Sequence, residues 1–243
     1  MAEAELVLGP SSDAAGGSGR SQRFKIKRVS ASQQIHDALR ERIVSLEFVP
    51  GQSLSRNEIA DDYGVSQTPV RDAMLKLEED GLLLVQPQSK TEVTRIDVAH
   101  ARETQFLRLS VELEVTRRLA TDPQAERLEP VRKILAAQDF ALQRADLDDF
   151  ARLDREFHGA LYDAVGVPAL WALVRARSGH IDRLRNLNLP DPGKPANILD
   201  YHARILDSIA AGDVLATEQA VRGHLSGTLA TVEQIMARYP AYF

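Results

Sequence analysis

Three of the six histidines in this chain, His158, His202 and His224, and one carboxylate, Asp154, fall beside the apolar stripes of separate amphipathic segments. Phe150, Leu153, Phe157, Leu161 and Val165 form the stripe of the first segment; Asp154 and His158, four residues apart, leave it from adjacent turns. His202 opens a second segment beside Ile205, Leu206 and Ile209, and His224 stands among Val221, Leu225 and Thr228 in a third. Imidazoles and a carboxylate turned toward a helical core are costly unless something pairs with them. Any fold open to this chain must therefore bring the four together or partner each one elsewhere. One oxygen and three nitrogen donors suit a divalent ion such as Zn²⁺, Ni²⁺, Mn²⁺ or Fe²⁺, with positions left for water or a carboxylate. A single helical histidine is more often a satisfied core or surface group, so the signal lies in the set.

The remaining pattern divides the chain in three. Residues 1–22 are rich in Gly, Ser and Ala and read as a disordered arm, with Lys25, Lys27 and Arg28 following before the first helix. Residues 23–96 carry a compact series. Ile35, Leu39, Ile43 and Leu46 recur at helical spacing, and Pro50-Gly51 makes a turn. Ser55-Arg56-Asn57-Glu58 is a capping box opening a short helix with Ile59 and Ala60. After the Tyr63-Gly64-Val65 turn, Ser66 caps a third helix running through Val70, Met74, Leu75 and Leu77 to Gly81. Leu82 to Val85 and Glu92 to Arg95 are strand candidates around Pro87-Gln88-Ser89-Lys90. Helix, helix, turn, helix and hairpin make a winged helix-turn-helix.

Residues 97–243 lose the strand signal. Six helices are expected, at about 98–120, 124–143, 147–165, 169–187, 198–211 and 214–239, with Asp97, Asp146 and Asp213 at N-caps and Gly166 and Gly212 at C-caps. The fold class is thus mainly α: an N-terminal winged helix-turn-helix and a C-terminal all-α antiparallel helical bundle.

Composition narrows the function. The chain has no cysteine, which excludes disulfides, thiolate metal sites and cysteine nucleophiles. Net charge is −5, so a nucleic-acid surface must be local; Ser21 to Ile96 is neutral, with 11 basic and 11 acidic residues, while the bundle is acidic. No apolar run approaches the roughly 20 residues needed to span a bilayer, and the N-terminus lacks a secretory pattern. A cytoplasmic protein that makes no membrane contact is expected.

The string Val65-Ser66-Gln67-Thr68-Pro69-Val70-Arg71, with Pro50-Gly51-Gln52-Ser53-Leu54, Ile59-Ala60, Leu77, Glu79, Gly81-Leu82 and the Pro87-Gln88-Ser89 wing, closely resembles the GntR family of bacterial transcription regulators. Asp154-Arg155-Glu156-Phe157-His158, Tyr201 to Leu206, and Val221 to Leu225 are similar to the FCD domain, the effector-binding bundle of the FadR subfamily, over about Asp97 to Tyr239. The resemblance implies a ligand-responsive regulator, most often a repressor, acting as a homodimer on a palindromic double-stranded operator. Gln67, Thr68 and Arg71 would meet base edges, with Arg40, Arg56, Ser66 and Lys90 at phosphates or grooves. Two positions depart from the family pattern, Gln67 for its usual Arg and Lys90 for its usual wing-tip Gly. In metal-binding members of the subfamily the ligands occupy the positions of Asp154, His158, His202 and His224. A small organic acid effector would join that metal, with Arg108, Arg175, His180 and Arg183 as candidate donors; an i,i+4 pair of Arg108 with Glu112 competes with that role. A direct metal sensor is the nearest alternative. A metal-dependent enzyme is the more distant one, because no base such as the glutamate of His-Glu-x-x-His stands near the set.

Overall fold

The structure, a computed structural model, describes residues 29–86 and 90–243. The arm over 1–22, Lys25, Lys27 and Arg28, and the Pro87-Gln88-Ser89 tip lie outside the described residues.

The N-terminal head contains helices α1 (Ala31–Val44), α2 (Arg56–Asp62) and α3 (Gln67–Glu79), with strands β1 (Ser53–Leu54), β2 (Leu83–Val85) and β3 (Thr91–Val93). The sheet order is β1-β3-β2, antiparallel, with Leu83 opposite Val93 and Ser53 opposite Glu92. The hairpin was expected; β1 was not, because two residues are too few to show an alternation. Leu39, Ile43, Val70, Met74, Leu77, Leu82 and Leu83 close one core, each contributed by the apolar side of its element. Ser55 Oγ accepts from the Glu58 amide at 3.4 Å, as its capping role requires, and Gly64 takes the left-handed turn at φ 62°. Ser66 stands at the N-cap of α3 without a side-chain cap bond.

The C-terminal bundle contains α4 (Val98–Thr121), α5 (Ala125–Gln143), α6 (Leu147–Ala164), α7 (Pro168–Arg177), α8 (Gly179–Asn188), α9 (Lys194–Ala210), α10 (Val214–Ser226) and α11 (Val232–Arg238). Asp97, Asp146 and Asp213 cap as read, each accepting from the backbone amide three residues on. Gly166 and Gly212 follow their helices at φ 78° and 72°. Three segments differ from expectation. The stretch read as one helix over 169–187 breaks into α7 and α8 at Ser178, where ψ rises to 0° and the chain turns across the head. α9 starts at Lys194, because Gly193 at φ 79° and Pro195 in the first turn initiate it earlier than the proline-rich loop suggested. The last helix ends at Ser226 and resumes as α11 after a 3-10 turn over Leu229–Thr231.

α4, α6, α9 and α10 enclose a core of Val115, Leu119, Phe157, Leu161, Ile205, Ile209 and Val221. α8 lies between this bundle and the head, touching α4 on one side and α1 on the other. Its first residue, Gly179, sits so close to Leu82 that an added Cβ would come within 2.5 Å of the leucine methyl.

Candidate metal centre and DNA-reading surface

α6 presents Asp154 and His158 inward because they lie one turn apart beside Phe157 and Leu161, both fully buried. His202 comes from α9, its ring stacked on Phe157 with centroids 3.9 Å apart and planes 7° from parallel. His224 comes from α10, where Gly223 allows Tyr201 to approach: a Cβ there would meet the tyrosine ring at 2.8 Å. The four side chains each offer one ligand atom, and those atoms all lie within 4.8 Å of one another.

The arrangement is directional. Nε2 of His224 lies 3.1 Å from Nε2 of His158 and 3.2 Å from Nε2 of His202, and Oδ1 of Asp154 lies 3.5 Å from Nε2 of His202. Two of the far nitrogens face oxygen atoms. Nδ1 of His202 donates to the side-chain oxygen of Gln138 at 2.8 Å; Nδ1 of His158 lies 2.5 Å from a Glu112 carboxylate oxygen, a contact off hydrogen-bond alignment whose negative charge nonetheless favours the proton on that nitrogen. An oxygen acceptor at Nδ1 keeps the proton there and leaves Nε2 as a lone pair. Two such lone pairs then face His224, whose Nε2 can donate to only one of them. A cation resolves that conflict. Bonds of about 2.1 Å place neighbouring ligand atoms about 3.0 Å apart at right angles and about 3.4 Å apart at the tetrahedral angle, and the observed N···N separations fall between.

Electrostatics prepare the same state. Burial pushes the His158 pKa well below its usual value, with the Arg108 charge adding to the effect; burial, then His202 and His158, does the same to His224. His202 is lowered to about 4, chiefly by burial. Burial alone would raise Asp154, but Arg185, whose Nη2 donates to Oδ2 at 2.6 Å, and the neighbouring imidazoles hold it well below the ordinary carboxylate range. Near neutral pH the set is three neutral imidazoles and one carboxylate, the protonation state that ligates.

Of the other expected effector residues, only Arg108 belongs to this neighbourhood. It is buried, its Nε donates to Glu112 at 3.1 Å, and its Nη2 has no partner; the Tyr162 hydroxyl is likewise buried and unpartnered. The competing i,i+4 pair thus forms, and a donor remains. The structure places Arg175, His180 and Arg183 away from the four candidate ligands. Arg183 donates to the Thr94 carbonyl at 2.6 Å and to Nδ1 of His180 at 2.9 Å, and His180, which accepts from the Asp97 amide at the junction, has its Nε2 3.4 Å from where a Cβ on Gly81 would stand, so both face the head. Arg175 lines a groove between α7 and α1 with His36 and Glu41. Their helix turned at Ser178, which periodicity alone did not reveal. Sequence reading missed Gln138 and Arg185 as supports of the site. Gln138 was detectable in principle, since it continues the buried Val131 face of α5 and a polar residue on such a face needs a partner.

Arg56, Ser66, Gln67, Thr68 and Arg71 are exposed on the head. Arg71 makes no ion pair with Asp72 or Glu78, whose carboxylate instead accepts from the Val85 amide at 3.0 Å. Gln67 donates to Asn57 at 2.7 Å, and Lys90 pairs with Glu92 at 2.5 Å beside Arg56 in one groove. Arg40 lies elsewhere than expected: its guanidinium is buried, donating to the Arg175 carbonyl at 2.6 Å and to Ser178 Oγ at 3.1 Å.

Comparison with known proteins adds three findings. Residues 31–93 match the family model described as bacterial regulatory proteins, gntR family, and residues 103–227 match the FCD domain. An HTH-type transcriptional regulator in an unstable DNA locus of Streptomyces ambofaciens is 36% identical over 87% of this chain and 89% of its own, and the HTH-type transcriptional repressor RspR of Escherichia coli K12 is 33% identical over 87% and 93%. Among solved structures, E. coli McbR/YncC superposes with a TM-score of 0.73 at 20% identity, covering 85% of this chain and 99% of that one, a likeness of fold.

Proposed function

The chain belongs to the gntR family of bacterial regulatory proteins, with an FCD domain following its winged head, and is a DNA-binding transcriptional regulator; on that premise we propose that its bundle holds a divalent cation on Asp154, His158, His202 and His224 and uses it to sense a small carboxylate-bearing metabolite. The observation that carries this reading is the convergence of three imidazole Nε2 atoms at 3.1 and 3.2 Å, with Nδ1 of His202 bonded to Gln138 and Nδ1 of His158 facing the Glu112 carboxylate. A nitrogen-rich, sulfur-free set suits Zn²⁺, Ni²⁺, Mn²⁺ or Fe²⁺. When bound, the ion supplies a Lewis-acidic position for an acid group. The chain's own part is to hold the imidazoles neutral, fix their orientation through Gln138 and Glu112, and offer Arg108 Nη2 and the Tyr162 hydroxyl, both buried and unpartnered, as further donors. Asp154 also lines a cleft with Arg185 and Lys194, whose apolar walls come from Phe150 and Ile198.

The DNA-facing part of the proposal rests on the N-terminal end of α3, which exposes Gln67, Thr68 and Arg71 for base edges, with Ser66, Arg56 and Lys90 at the backbone. Two copies would read a palindrome. The outer face of α7 is apolar, with Leu170 and Leu173 exposed, and α4, packed against it, exposes Phe106 at 75% of its surface; pairing of two chains would cover this face. Repression is the expected sense, as in RspR.

Elemental analysis of protein reconstituted with Zn²⁺ or Mn²⁺ tests the core of the proposal. One ion per chain is expected, lost in His202→Ala and His224→Ala while the helical signal is kept. Absence of stoichiometric metal in the wild type, or its retention in both variants, overturns the assignment.

A further inference from the structure

α8 is a ten-residue helix that carries far more buried polarity than its length requires. One face is tied to the head. Arg183 donates to the Thr94 carbonyl at 2.6 Å and Asn186 donates to the Val44 carbonyl at 2.7 Å, while at the junction with α4 His180 accepts from the Asp97 amide at 2.9 Å. The adjacent face carries Asp182 and Arg185, one turn apart, joined at 3.7 Å. Arg185 extends to Asp154 Oδ2 at 2.6 Å, on the α6 side. Asp182 extends to Arg40 of α1 at 3.9 Å and accepts from Ser178 Oγ, which also accepts from Arg40 at 3.1 Å. The charges therefore alternate along a single line, Asp154, Arg185, Asp182, Arg40, from the proposed metal centre to the first helix of the DNA-binding head. All four side chains are at most one-fifth exposed, so water screens these links weakly.

We infer that this line is a relay by which occupancy of the metal centre changes how the head is held. The inference rests on the metal reading above and names the regulation of that site. A cation at Asp154 shares the carboxylate that Arg185 otherwise clamps and adds positive charge beside that guanidinium. Arg185 then leans on Asp182, and Asp182, more fully engaged by Arg185, holds Arg40 less. Gly179 wedged against Leu82, with the bonds of α8 to Thr94 and Val44, puts this helix in direct contact with the head, so a change in the Asp182–Arg40 link is felt there. The link from ion to head is thus a redistribution of ion pairs, with differential contacts in the two states as any such coupling requires.

The test uses the full chain and zinc alone. Backbone hydrogen exchange is followed in residues 31–44 with one equivalent of Zn²⁺ and with chelator, and zinc affinity is measured on the same samples. In the wild type, exchange in α1 is expected to change by at least about fivefold between the two conditions, the lower end of usual coupling. Asp182→Asn keeps the Ser178 bond and touches no proposed ligand; it should bind zinc within about threefold of wild type and lose most of that response. Arg40→Gln should do the same from the other end. Arg155→Gln, which removes the separate α6–α1 ion pair with Glu41 at 2.9 Å, should leave the response in place. Stoichiometric zinc in the wild type with no response in α1, or a full response in both Asp182→Asn and Arg40→Gln, overturns the relay and leaves the metal reading standing. So does a response abolished only by Arg155→Gln. No bound zinc in the wild type overturns the metal reading and the relay with it.

Discussion

Gln138 gives the sharpest test of how the centre works, because it touches the proposed ion only through another residue. Its side chain is fully buried, and its oxygen accepts the Nδ1 proton of His202 at 2.8 Å while its Nε2 reaches the Phe150 carbonyl at 3.4 Å. In Gln138→Leu the imidazole keeps its place on Phe157 but loses its acceptor. A buried N–H left unpaired costs about 1–3 kcal/mol. The ring can escape that penalty by carrying its proton on Nε2, but there the proton occupies the position of the lone pair that ligates. Metal binding must pay to move it back, so zinc affinity should fall about 10–100-fold, which is about 1.4–2.8 kcal/mol. Gln138→Glu retains an oxygen acceptor and should retain the affinity. Competition against a chromogenic zinc chelator measures both, and urea unfolding of the metal-free proteins shows whether the fold survives. Zinc affinity of Gln138→Leu within about twofold of wild type would show that the acceptor does not set the ring's tautomer, and the lone-pair argument for the centre would fail with it.

Three further outcomes follow from named contacts. Arg71→Ala should weaken binding to the cognate operator by about 1–3 kcal/mol with unchanged thermal stability if it meets a base edge; titration of labelled DNA checks this, and an unchanged affinity assigns Arg71 elsewhere. His36 lies between Asp80 at 2.8 Å and Asp37 at 2.9 Å and, when protonated, donates to both carboxylates; the Asp80 bond above all, against some desolvation, raises its pKa above 6.5. A raised histidine stabilises the fold fully below its unfolded value and loses that contribution as pH rises through the folded one, so the urea midpoint of wild type relative to His36→Gln should shrink from pH 6 to pH 9; a constant difference refutes it. Gly179→Ala would gain about 1 kcal/mol in helix propensity, but its Cβ would press within 2.5 Å of buried Leu82, an overpacking that costs about 1–3 kcal/mol. Net destabilisation is expected in a denaturant melt, and net stabilisation would mean that the junction yields.

Much of this protein was written locally. The aspartate caps at 97, 146 and 213, the turn at Gly64 and the helical spacing of Leu39 and Ile43 depend on neighbours within a few residues, so the elements could be read in order. The four candidate ligands were legible for the same reason: each is a polar group on an apolar stripe, and stripes are a local property. What required tertiary structure was direction. Ser178 turns the chain between α7 and α8, and that turn sends His180 and Arg183 to the head, removes Arg40 from the surface and aims Arg185 at Asp154. Gln138 and Glu112 became supports only when α5 and α4 packed beside α9 and α6. Periodicity states which side of a helix is buried; only packing decides which other helix that side meets, because the burial of apolar area is indifferent to partner while a hydrogen bond is not.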